Sequence, residues 1–97
     1  VGQHRSFWAR PNNGAEVDFI FTHNSRLYPI EVKSGTNAHL RSLHVFMDNS
    51  NIDTAIRVWS NPYSVDKVKT PNGKEYRLIN LPFYLIVNLH QVLDEVL

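Results

Sequence analysis

Asp18, Glu31 and Lys33 have the types and the spacing for metal-assisted chemistry. Asp18 lies in GAEVDFIFT at residues 14–22, and Glu31 and Lys33 lie in LYPIEVKSG at residues 27–35. Each stretch alternates apolar and polar residues, and His23, Asn24, Ser25 and Arg26 stand between them. That pattern predicts two strands joined by a tight polar turn. A turn centred on Asn24 and Ser25 sets Thr22 opposite Leu27, Ile20 opposite Pro29, Asp18 opposite Glu31 and Glu16 opposite Lys33. Side-chain alternation then gathers Val17, Phe19, Phe21, Tyr28, Ile30 and Val32 on one face. Asp18, Glu31, Lys33 and Glu16 fall on the other.

Two opposed carboxylates repel by a few tenths to about 1 kcal/mol in an exposed sheet pair. A hard divalent cation reverses that sign, because oxygens from two strands supply half of a Mg²⁺ or Mn²⁺ site. Water would fill the other coordination positions, so weak binding is expected. Lys33 points to the same side and can hold a water or a phosphate oxygen, as phosphodiester hydrolysis requires. The same residues also suit a solvated hairpin face on which Lys33 pairs with Glu16.

Asp18 followed by Glu31-Val32-Lys33 resembles the D…E-x-K core of the PD-(D/E)xK nuclease superfamily. The wider wording is more specific: FWAR at 7–10, GAEVDFI at 14–20, PIEVKSG at 29–35 and LPFYL at 81–85. Together these resemble the C-terminal domain of a large group of prokaryotic AAA-type ATPases, over most of the chain. The resemblance implies a restriction-endonuclease-like α/β fold and Mg²⁺-dependent phosphodiester hydrolysis. Asp18 and Glu31 would be the metal ligands, Lys33 would position the attacking water, and Glu16 is a supporting candidate. DNA or RNA and an upstream ATPase domain are the implied partners, with ATP acting only through that upstream domain. Two other classes of function stay open. One is a non-catalytic module that binds nucleic acid or protein for the ATPase, and the other is a purely structural C-terminus.

The 97 residues suffice for one domain over 1–97 with one core. Ten Lys and Arg stand against nine Asp and Glu, for a net charge of +1. Autonomous nucleic-acid binders carry a clear basic excess, so a local patch or another domain must help here. No apolar run reaches membrane-span length, no signal-peptide pattern opens the chain, and the lack of cysteine fits a reducing cytoplasm. A chain that begins at Val1 reads as a piece of a longer protein. Without cysteine a structural zinc site is not expected, and neither a P-loop nor a serine-nucleophile motif is present.

The elements that would position the site follow in order. Residues 4–10 read as a first strand and 11–14 as a turn ahead of the central hairpin. Residues 34–37 offer caps for a helix over 38–48, where Leu40, Leu43, Phe46 and Met47 recur at helical spacing. A strand over 54–60 then completes a crossover and runs parallel to 27–33. Residues 65–70 and 74–79 flank Pro71, Asn72 and Gly73 as a hairpin. Poor alternation and Lys67, Lys69, Lys74 and Arg77 suggest an exposed edge ribbon, either solvated or in contact with nucleic acid. Pro82 opens a final helix to residue 96 with Ile86, Leu89, Leu93 and Val96 on one stripe. Trp8 and Trp59 are expected in the core rather than as base-stacking platforms. The expected architecture is thus an antiparallel three-stranded meander, a crossover helix, a parallel fourth strand, a peripheral ribbon and a C-terminal helix.

Overall fold

The computed structural model describes residues 7–9, 17–33 and 40–97. Six strands form one mixed sheet: β1 (Phe7–Ala9), β2 (Phe19–His23), β3 (Arg26–Val32), β4 (Thr54–Trp59), β5 (Ser64–Lys69) and β6 (Glu75–Pro82). Their order across the sheet is β1-β2-β3-β4-β6-β5, with the three-residue β1 at one edge. Helix α1 (Arg41–Asp48) joins β3 to β4, and a 3-10 turn at Phe83–Asn88 leads into α2 (Leu89–Val96). No helix among the described residues is long and apolar enough to cross a membrane.

The hairpin forms as the alternation predicts. Asn24 and Ser25 both take positive φ, 51° and 67°, which a two-residue turn between right-twisted strands requires. Thr22 pairs with Leu27 and Ile20 with Pro29. Proline cannot donate to a ladder, and Pro29 falls one residue before β3 begins its parallel pairing with β4 at Ile30.

Successive residues of β4 and β6 feed opposite faces. Ile56, Val58, Ile79 and Leu81 pack with Phe21, Tyr28 and Ile30 beneath Leu89 and Leu93 of α2. Ala55, Tyr76 and Leu78 pack beneath Leu43 and Met47 of α1. Val17 belongs to this second cluster, not with Phe19 and Phe21 as the alternation predicted. Asp18 lies in a bend before β2, so the period of two does not carry back to Val17.

The ribbon also differs from expectation. Only β5 is peripheral; β6 lies between β4 and β5 and runs parallel to β4. A strand covered on both faces reads as a nearly continuous apolar run, which explains its poor alternation. The link from β4 to β5 must pass over β6, a span of about 10 Å at the usual strand spacing. Residues 60–63 cover it, and Trp59 Nε1 donates to the Pro62 carbonyl at 3.3 Å along the way. Pro82 ends β6 with extended geometry (φ −63°, ψ 151°) instead of starting the helix, and regular α-helix begins at Leu89. Helix α1 starts at Arg41 with no side-chain cap; the predicted caps at 34–37 lie outside the described residues.

Candidate active site

The hairpin delivers the predicted residues to the end of β3. Asp18 N–H donates to the Ile30 carbonyl at 3.1 Å, and Asp18 Oδ2 accepts from Val32 N–H at 2.8 Å. Regular antiparallel pairing therefore ends at Phe19 and Ile30, and the Asp18 carboxylate takes up the next backbone donor along β3. Glu31 on β3 and Lys33, the residue just past its end, meet directly, with Lys33 Nζ 3.1 Å from Glu31 Oε2. Glu16, and with it the expected pairing to Lys33, lies outside the described residues.

Glu31 is 8% exposed, and its Oε1 is buried without a hydrogen-bond partner among the described residues. Leaving a buried acceptor unpaired costs about 1–3 kcal/mol. Burial pushes the Glu31 carboxyl up, the Lys33 hydrogen bond pulls it back, and the nearby Asp18 charge raises it again. Asp18 is thus close enough to be felt by Glu31, while each carboxylate keeps a different backbone environment.

Beside Glu31 the sheet carries a buried polar row. Register sets Glu31 beside Arg57 on β4, Arg57 beside Asn80 on β6, and Asn80 beside Ser64 on β5. Paired residues on neighbouring strands share a face, so all four belong to the α1 side. Arg57 Nε donates to Asn80 Oδ1 at 2.8 Å, and Asn80 Nδ2 donates to Asp66 Oδ2 at 2.7 Å and to Ser64 Oγ at 3.0 Å. Arg57 is 5% exposed and its guanidinium stacks 4.0 Å above the Trp59 ring. Burial lowers the Arg57 pKa, against the pull of Asp66. Neither Arg57 nor Asn80 was singled out from the sequence. The available signal was one polar residue interrupting each apolar strand, in TAIRVW and in RLINLP.

Asp18 and Glu31 fit a hard divalent cation in donor type, and Glu31 Oε1 is an oxygen that lacks another role. The described residues contain no group of three or more His, Cys, Asp or Glu side chains that could hold a metal ion. A separate cleft of about 720 Å³ opens at the opposite ends of β3, β4 and β6, lined by Arg26, Asp53, Lys67, Glu75 and Arg77 among others. Its charges nearly cancel, and none of the predicted site residues lines it.

A family model described as a domain of unknown function, DUF4143, matches residues 2–84. The chain belongs to the DUF4143 family. No curated protein and no solved structure matches it. The DUF4143 match takes in all six strands and α1, and therefore the whole Glu31 row, while α2 lies beyond it.

Proposed function

We propose that this DUF4143 domain is a metal-dependent phosphodiesterase module of the PD-(D/E)xK type, built into the C-terminal part of a longer AAA-type ATPase. The observation that carries the reading is the buried Oε1 of Glu31, unpartnered among the described residues, next to Lys33 and within reach of the Asp18 charge. Asp18 and Glu31 would hold Mg²⁺ or Mn²⁺, which would supply a Lewis acid and an acidified water. Lys33 Nζ is anchored by Glu31 and has further donors for a water or a phosphate oxygen. Glu31 must be ionised to bind a cation, so its raised pKa makes metal affinity fall in acid. The meander, crossover helix and parallel strand support the restriction-endonuclease-like assignment.

The test is cleavage of labelled DNA or RNA by the longer protein with Mn²⁺. Lys33→Ala is expected to lower kcat more than it changes KM, because it removes a transition-state contact. Equal turnover of the variant and the wild type contradicts the assigned role.

A second reading, a non-catalytic binding module for the ATPase, is favoured by the Asp18–Val32 bond and the Lys33–Glu31 pair. In that reading these contacts merely close the end of β3, and metal has no effect.

A further inference from the structure

We propose that β4 supplies the substrate-recognition half of this site, with Trp59 stacking an unpaired base of single-stranded nucleic acid beside Lys33. The phosphodiesterase reading supplies the substrate class; the placement of Trp59 stands apart from it.

Lys33 N–H donates to the Val58 carbonyl at 2.8 Å, closing the Val32–Val58 pair at the end of the parallel ladder. Lys33 and Trp59, the last residue of β4, each follow directly on that pair. Alternation puts Glu31, Lys33, Arg57 and Trp59 on one face of the sheet. The two contacts already named confirm it within each strand: Lys33 to Glu31, and Arg57 to Trp59.

Trp59 belongs to neither apolar cluster, although it ends a central strand. It is half-buried, not enclosed. Its Nε1 is fixed by the Pro62 carbonyl, and the Arg57 guanidinium lies against the ring. Arg57 is in turn held by Asn80. A ring braced in this way loses little freedom when a base stacks on it, and every base offers a π-face, so recognition is tolerant of sequence. Charge points the same way. With a net charge of +1 the chain has no broad basic field for a duplex backbone. A duplex also keeps its bases stacked on one another and leaves none for the ring.

The chain has two tryptophans, so Trp8→Phe leaves Trp59 as the sole reporter. That protein is titrated with a twelve-nucleotide oligo-dT and with a twelve-base-pair duplex, at low salt with EDTA, so that cleavage plays no part. The expected result is quenching of Trp59 emission by oligo-dT, and binding of oligo-dT about tenfold tighter than of the duplex. Trp59→Ala, followed by anisotropy of a labelled oligonucleotide, should weaken oligo-dT binding about tenfold or more, since stacking typically contributes about 1–3 kcal/mol per base. Trp59→Phe should keep most of the affinity, and it decides the matter if the alanine variant does not fold. Equal affinity of oligo-dT for wild type and the folded Trp59 variants overturns the proposal, as does a wild type that binds neither oligonucleotide. Absence of cleavage with stacking intact removes the phosphodiesterase reading alone; cleavage unaffected by Trp59→Ala removes this one alone.

Discussion

Two carboxylates on the α1 side of the sheet meet opposite fates. At the foot of α1, Asp48 uses both oxygens: Oδ1 accepts from Thr70 Oγ1 at 2.7 Å and Oδ2 from Asn72 Nδ2 at 3.0 Å. Lys74 closes the same corner by donating from Nζ to the carbonyls of Met47 and Ser50, which end the helix. Both Asp48 oxygens, the Thr70 hydroxyl and the Lys74 ammonium thus have partners, and the corner locks α1 to the turn between β5 and β6. At the end of β3, Glu31 pairs one oxygen with a residue two positions away and buries the other without a partner among the described residues. A buried acceptor without a partner raises the free energy of the fold unless something outside the chain occupies it. The first arrangement is what stability selects, and the second is the feature on which the proposed cation site rests.

The comparison is broken most easily at the lock. Asp48→Ala removes two hydrogen bonds and leaves the O–H of Thr70, a residue 3% exposed, without its acceptor, although the hydroxyl oxygen still accepts from Lys74 N–H. It should destabilise the fold by about 2–3 kcal/mol. In a domain of this size that lowers Tm by roughly 10 °C or more, readable by thermal denaturation; an unchanged Tm would make the lock decorative.

Glu31→Gln should act with the opposite sign. It removes a buried charge whose folded pKa lies above its unfolded value of 4.5. Glu31 therefore adds no penalty below the unfolded pKa, where it is protonated in both states, and becomes unfavourable as pH rises through the folded pKa. In metal-free buffer at pH 8 the variant should be about 1 kcal/mol more stable. That gain should disappear as pH falls to about 4, and a gain independent of pH contradicts burial as the cause.

A smaller effect belongs to His44, whose Nδ1 meets the Tyr76 hydroxyl at 2.9 Å. Burial lowers the His44 pKa below 6.5, and burial also pushes Tyr76 up to about 12. A histidine with a depressed pKa contributes stability above its unfolded pKa and loses it as pH falls through 6.5 towards the folded value. His44→Phe should flatten that slope by a few tenths of a kcal/mol or more, within the range of one hydrogen bond at about 1 kcal/mol. Melts at pH 5 and pH 8 measure it.

The hairpin was legible in the sequence because Asn24 and Ser25 mark a two-residue turn between alternating strands, which pins the register of Ile20 on Pro29 and Thr22 on Leu27. It stopped being legible at Val17, where a bend breaks the alternation, and along β6, where burial on both faces erases it. Lys74 read as one cation of a basic ribbon, yet it terminates α1, a pairing across 27 residues that no local pattern encodes. Glu31 and Lys33 stood out because they share one strand. Arg57 and Asn80 complete the row only through strand order, and the insertion of β6 beside β4 is a tertiary fact. Trp59 shows the same limit: a tryptophan in an apolar strand suggests a core residue until the two clusters close without it.

Whether the end of β3 holds a cation, as proposed, is decided by thermal melting against Mn²⁺ at pH 8. Wild-type Tm should rise at high Mn²⁺ concentration, because a ligand that binds only the folded state stabilises it by mass action. Asp18→Asn and Glu31→Gln should each abolish the rise, although Glu31→Gln starts from the higher metal-free Tm. An equal Mn²⁺ response in all three proteins, or none in the wild type, would contradict the account and leave Asp18, Glu31 and Lys33 as the closure of a strand end.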